Sequence, residues 1–366
     1  LIPVPQNAIL AAMTDPVDPP DQAAAPLDAE RLARWMDGEG LPGEGDLPVL
    51  TRLTGGSQNE LFVVERGGRR AVLRIPPPTA DAARMRNHVR ELTLLRGLKG
   101  TDVPHAELIA GSEDASVLGA PFYLMEEIIG WSPTAGGWPE PYASNPSARA
   151  PLAFGLVDGA ARLARVDWRA QGLEGFGRPE NFHDRQVDRW LSFLAEYRFR
   201  ELPGLDEASE WLRSHRPRHW EPGIMHGDYQ FANVMFSNEV PTRLAAVIDW
   251  EMTTIGDPLL DLAWGLIAWS PEGDDMTAAR YMPLDGMPPR DVLLEHYEKV
   301  SGRSTEDIDY YVVLARWKLA IVLEKSYARV AGGEQVSPAL ETFGALVLEL
   351  MRKAAELAGS LTLRRS

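Results

Sequence analysis

The sequence predicts an α+β protein of two lobes. The first is small, an antiparallel five-stranded sheet with one helix; the second is larger and mostly helical. Three observations predict this. Short apolar runs crowd residues 48–128, with a single helical pattern set after the third. A Pro- and Gly-rich stretch then breaks any period over 129–150. Beyond 151 apolar residues recur mainly at helical spacing. A chain of 366 residues is also long for one compact core. The expected division is an extended or poorly ordered arm at 1–26, a first lobe at 27–128, a linker at 129–150 and a helical lobe at 151–366.

Each element has a local reason. Asp28 caps a helix through AERLARWM that ends near Gly38 and Gly40. PVLTRLTGG, NELFVVER and RRAVLRI read as strands, and Gly67-Gly68 between the last two is a hairpin turn. Pro76-Pro77-Pro78 ends the third strand, because proline donates nothing to a ladder. Met85, Val89, Leu92, Leu95 and Leu98 define a helix over 81–98. AELIAG at 106–111 and PFYLMEEI at 121–128 supply two more strands. The second lobe is expected to hold helices at 151–166, 183–200, 205–215, 258–269, 290–301, 305–330 and 335–358. Short strands at 223–226, 233–237 and 244–248 interrupt them.

Composition excludes several functions. The net charge of −16 argues against general nucleic-acid binding, which needs clustered Lys and Arg. No cysteine is present, so disulfides, thiolate metal sites and a Cys nucleophile are ruled out. The longest apolar stretches, such as LLDLAWGLIAW at 259–269, are too short to span a bilayer. The first residues lack a basic n-region and do not read as a signal peptide. A soluble cytoplasmic protein is the expectation.

The chemistry concentrates in MHGDYQFANVMF at 225–236 and AAVIDWEMTTIGDP at 245–258. An apolar strand runs into His226-Gly227-Asp228, where glycine permits a sharp bend that aims Asp228 into a cleft. Asp228 is placed to take a proton from an attacking hydroxyl. A hairpin-like return brings Asn233 alongside, and a second apolar run delivers Asp249 at its end. A neutral amide oxygen and a carboxylate suit Mg²⁺, which would bridge the β- and γ-phosphates of ATP. Taken singly, each acid is plainly explained as a turn or cap residue, and His226 as a packed structural group. The ordered trio is what points to phosphoryl transfer, which needs positioning and charge neutralisation.

HGD-x4-N, followed by VIDWE and GDPLLDLAW, resembles the catalytic core of the aminoglycoside phosphotransferase family of small-molecule kinases. The resemblance covers most of 45–330 and is strongest to the subgroup that includes kinase domains fused to some acyl-CoA dehydrogenases. It implies a protein-kinase-like fold, with Asp228 as catalytic base and Asn233 and Asp249 as Mg²⁺ ligands. It also implies that Asp261 braces the HGD turn from a buried helix. Glu251 would reach metal-bound water or a substrate amine.

The first lobe would then hold ATP. Backbone N–H groups of Gly56, Ser57 and Gln58, in the turn of LTGGSQNELFVV, are placed to cradle phosphates. Kinase-like folds usually carry Lys on the third strand; here AVLRI puts Arg74 there, with Glu91 of the next helix as its expected partner. Arg stays charged and grips phosphate bidentately, so the role is tenable. Adenine would lie against Met125, Glu126, Glu127 and Ile128.

The acceptor is less legible. Glu251, Asp257, Glu272, Asp274 and Asp275 would suit an aminoglycoside or amino alcohol. Trp131, Trp138, Trp250, Trp264 and Trp269 could instead line a flatter pocket for an acyl group such as a hydroxyacyl thioester, or pack the core. Two other readings stay open: a non-catalytic nucleotide-binding module, favoured by Arg74, and a metal-dependent phosphoesterase, disfavoured by one His in the motif.

Overall fold

The computed structural model describes residues 27–53, 59–135, 137–269, 271, 283–333 and 342–365. Helix α1 (Ala29–Gly38) begins at Asp28, whose carboxylate accepts from the Arg31 N–H. The first lobe follows as β1 (Val49–Leu53), β2 (Glu60–Arg66), β3 (Arg69–Ile75), α2 (Ala82–Leu98), β4 (Leu108–Ser112), a single helical turn α3 (Ala115–Leu118) and β5 (Phe122–Met125). All neighbours pair antiparallel in the order β1-β2-β3-β5-β4. Gly67 and Gly68 both take positive φ, the geometry of a tight primed hairpin turn. The α3 turn was not foreseen, because four residues carry too little periodicity.

The second lobe is α4 (Ala150–Arg165), α5 (Phe182–Ala195), α6 (Leu205–Ser214), β6 (Gly223–Met225), β7 (Val234–Phe236), β8 (Leu244–Val247), β9 (Thr254–Gly256), α7 (Leu259–Gly265), α8 (Arg290–Ser301), α9 (Ile308–Ala331) and α10 (Phe343–Arg365). β9 is an addition to the expected strands. It pairs antiparallel with β6, while β7 pairs with β8. Three-residue strands are held by their partners rather than by an alternating pattern, which is why β9 left no signal.

Two apolar clusters organise the chain. The smaller lies between the sheet and α1, around Leu32, Leu73 and Phe122. The larger fills the helical lobe but also takes in Leu92, Leu95 and Leu98 of α2. Thus α2 belongs in sequence to the first lobe and packs into the core of the second. The stretch expected as a linker is tied down too: Trp131 exchanges backbone hydrogen bonds with Phe236 and stacks on Tyr142. No helix among the described residues is long and apolar enough to cross a membrane.

Candidate active site

The site is built on a bend that only glycine fits. β6 ends at Met225, and the chain turns through His226, Gly227 and Asp228. Gly227 has φ +87°, and a Cβ there would stand 2.5 Å from the Met252 carbonyl oxygen. The backbone N–H groups of His226 and Gly227 both donate to the carboxylate of Asp261 on α7. The fully buried His226 ring completes the turn. Its Nε2 donates to the Ile248 carbonyl at 2.9 Å, so Nδ1 is the acceptor for the Asp228 N–H at 3.3 Å. Burial lowers the imidazole's pKa, in keeping with this neutral tautomer.

Asp228 is held by three side chains. Gln230 Nε2 and Trp264 Nε1 donate to Oδ1 at 2.8 and 3.0 Å, and Asn233 Nδ2 donates to Oδ2 at 2.8 Å. Burial, with the nearby Asp249 charge, still pushes its carboxyl up to about 7. Asn233 also donates to the Asp228 carbonyl at 2.8 Å, which commits its amide nitrogen to the turn. A bond from the Ile248 N–H to the Asn233 carbonyl at 2.9 Å brings the end of β8, and so Asp249, beside it. Asp249 adopts φ +66°, an uncommon backbone state for a non-glycine residue, and keeps its side chain 32% exposed. Asp228, Asn233 and Asp249 are therefore gathered at one place, and the two acids repel each other there.

Two partners of this cluster were not anticipated. Lys318, on the largely buried α9, donates from Nζ to the Gly227 carbonyl at 3.2 Å. Its ammonium lies over Trp264 at 4.7 Å and Trp190 at 5.1 Å. Burial lowers its pKa to about 8, against the pull of Asp228 and Asp261. Asp261 itself is pushed up to about 7 by burial, opposed by its two backbone bonds. A Lys set among large apolar residues, in RWKLAIVL, was the available signal for the first. Trp264 was weighed only as pocket lining or core; its indole N–H is what places it on Asp228.

Facing this turn from the first lobe, Arg74 of β3 meets Glu91 of α2 at 3.3 Å and Asp249 at 3.9 Å. The Asn59 amide oxygen, turned toward the guanidinium, accepts from its Nη2 at 3.0 Å. Burial would lower the Arg74 pKa, but Glu91 and the other surrounding acids raise it further. Glu91 is raised in turn by burial, with Arg74 opposing. Gly56, Ser57 and Gln58 lie outside the described residues. β5 ends at Met125, opposite Val72. The Glu126 N–H is spent on the Glu107 carbonyl at 2.9 Å, so it is not free for adenine. The Glu127 carboxylate forks onto Arg70 at 2.7 and 2.9 Å, and that bond lowers its pKa. Ile128 is half-buried beyond the strand end.

The candidate acceptor acids separate. Glu251 follows Asp249 and Trp250 at the cleft, and burial plus the Asp249 charge push it up to about 7. Asp257 does not face a cleft mouth: it is buried between His183 at 2.9 Å and the Tyr311 hydroxyl. Glu272, Asp274 and Asp275 lie outside the described residues. Trp250 packs against His226, Trp269 donates to the Pro288 carbonyl and Trp138 to the Pro133 carbonyl.

A small antiparallel sheet with one helix over a helical lobe, the acid-bearing turn sitting in the second lobe, is the fold of the protein-kinase-like proteins. A sequence model of the phosphotransferase enzyme family matches residues 49–298, and the chain belongs to that family. A solved structure of a proposed aminoglycoside phosphotransferase from Ralstonia eutropha is 28% identical, with TM-score 0.76, covering 91% of this chain and 99% of that one. Ethanolamine kinase of Plasmodium vivax shares the fold at 11% identity and TM-score 0.53, covering 90% of this chain and 86% of its own. Acyl-CoA dehydrogenase family member 11 of Homo sapiens is 27% identical over 334 residues, 89% of this chain and 42% of its own length. A probable acyl-CoA dehydrogenase of Arabidopsis thaliana is 26% identical over 363 residues, 91% of this chain and 43% of its own length. The chain thus spans about two-fifths of those curated relatives.

Proposed function

We propose that the protein is a small-molecule kinase that moves the γ-phosphoryl group of ATP to a hydroxyl, with Mg²⁺ as cofactor. The observation that carries this reading is the gathering of Asp228, Asn233 and Asp249 around a braced turn, with Arg74 and Glu91 facing them. Family membership supports phosphotransferase activity. Residues 27–128 are proposed as the nucleotide lobe and 151–366 as the catalytic and acceptor lobe.

Asp228 acts on the acceptor hydroxyl. As the oxygen–phosphorus bond forms, the hydroxyl proton passes to the Asp228 carboxylate, and ADP departs with the electron pair of the broken bond. Gln230, Trp264 and Asn233 fix the carboxylate, so it needs no reorganisation on reaction. Arg74 is set to neutralise phosphate oxygens while Glu91 orients it. The donor set fits Mg²⁺: hard oxygen ligands from Asn233 and Asp249, amid acids whose mutual repulsion a divalent cation relieves. When bound there, the ion would neutralise phosphate charge.

The test is acceptor-dependent ATP consumption by wild type and Asp228→Ala, with and without EDTA. Loss of about 10²–10⁴ in turnover, ATP binding retained, is expected. Equal residual ATP hydrolysis in both proteins would instead mark a non-catalytic nucleotide-binding module.

A further inference from the structure

Beside the catalytic turn lies a groove of about 760 Å³ between α2, the segment before α5, α5 itself and β9. Its wall at Thr254 belongs to β9, where Thr254 stands opposite Met225, the residue before the HGD turn. The groove therefore runs along the strand pair that leads into the HGD turn. Four arginines line it: Arg90, Arg178, Arg185 and Arg189. In a chain of net charge −16 such clustering is unexpected.

What the arginines pair with decides the sign of the groove. Arg90 donates to the Phe176 carbonyl at 2.8 Å and lies over the Phe176 ring, and Arg185 donates to the Asn181 and Arg178 carbonyls. Those contacts hold the guanidinium groups without neutralising them. Arg178 and Arg189 form no ion pair with a carboxylate among the described residues. The two acids of the groove are already paired outward, Asp184 with Arg216 and Asp188 with Arg213. The groove also reaches the first turn of α5, where Asn181 makes no side-chain cap and the helix dipole favours negative charge. The Arg189 charge is felt by Lys318, whose ammonium donates to the Gly227 carbonyl, so this end of the groove lies near the braced turn.

We propose that this groove is the acceptor subsite for an anionic group, a phosphate or a carboxylate carried on the same molecule as the reacting hydroxyl, with Arg178 and Arg189 as its specificity residues. The proposal rests on the phosphotransferase reading and narrows it. Guanidinium forks match both anions, and a polycationic aminoglycoside or an amino alcohol is repelled.

The test uses four acceptors of one chain length: 5-hydroxypentyl phosphate, 5-hydroxypentanoate, 1,5-pentanediol and 5-amino-1-pentanol. Phosphorylation by wild type is compared with Arg178→Gln/Arg189→Gln, alongside calorimetric binding of each compound without nucleotide. The expected result is a preference for one of the two anions, weakened by salt. In the double variant KM and Kd for that anion rise at least tenfold, while kcat and acceptor-free ATP hydrolysis are unchanged. Whichever anion is preferred identifies the recognised group. Preference for the amine or the diol, absence of anion binding, or an equal loss for all four compounds overturns the proposal. Arginine-dependent anion binding in a protein that turns over no ATP would sink the kinase reading and leave the subsite standing.

Discussion

The two sides of the cleft are held by different means. On the catalytic side, the HGD turn is tied by groups far along the chain: Ile248 at 22 residues, Asp261 at 34 and 35, Trp264 at 36 and Lys318 at 91. On the side proposed to hold nucleotide, Arg74 has one close carboxylate in Glu91, a second at 3.9 Å in Asp249 and an amide in Asn59. A cross-braced turn leaves the proposed base no freedom, which is what a proton acceptor needs. A side chain held by long contacts at its own tip can let go of them and take phosphate. Damage on the catalytic side should therefore propagate into folding, while damage on the nucleotide side should stay with the ligand.

Removing the brace is the strongest way to break that contrast. Asp261→Ala strands two buried backbone N–H groups, at a cost of about 3 kcal/mol, with turnover falling roughly 100-fold. Urea unfolding and a steady-state assay measure both. A protein of unchanged stability would show that the turn holds itself. Gly227→Ala comes next: φ +87° and a Cβ 2.5 Å from the Met252 carbonyl require backbone movement, for roughly 1–3 kcal/mol. The same two measurements apply, and wild-type activity would disprove the steric requirement.

Lys318→Met tests the charge inside the brace through pH. The Lys318 pKa is lowered in the folded protein to about 8 from 10.5. Between those values the unfolded chain keeps a proton that the folded chain has released, so stability rises with pH across that window. Below about 8 both states are charged and the burial penalty is constant. Wild type should accordingly gain stability relative to Lys318→Met from pH 8 to 10, on the order of 2 kcal/mol. Parallel curves would mean that Lys318 carries no buried charge.

The same contrast explains what was legible in the sequence. Asp228, Asn233 and Asp249 sit within 22 positions, on short strands whose turns are written locally in His226-Gly227-Asp228 and Ile248-Asp249. The Gly67-Gly68 hairpin and the Asp28 cap were equally local, and the structure carries both. Lys318 and the Trp264 indole bond were hidden because only packing of α7 and α9 against the turn brings them in. Asp257 was misplaced for the related reason that an acid near a Gly-Asp-Pro turn looks exposed until His183 and Tyr311 fold over it. The arginines of the groove are likewise scattered from 90 to 189 and form no motif.

Arg74→Lys is the mildest and most discriminating change, since it restores the residue usual in kinase-like folds. Lys keeps the charge but offers a point of contact, where the guanidinium spans Glu91, Asp249 and Asn59 at once. An ammonium on Glu91 would leave Asp249 and Asn59 unattended. Because the Arg74 side chain is 15% exposed and Glu91 keeps a partner, the fold should lose no more than about 1 kcal/mol. The effect should appear in the nucleotide KM, raised a few-fold, with kcat nearly unchanged, since uniform binding is what is lost. A fall in kcat with KM preserved would mean that Arg74 acts on the transferring phosphoryl group itself. The two sides of the cleft would then be joined in one charge network rather than divided between binding and chemistry.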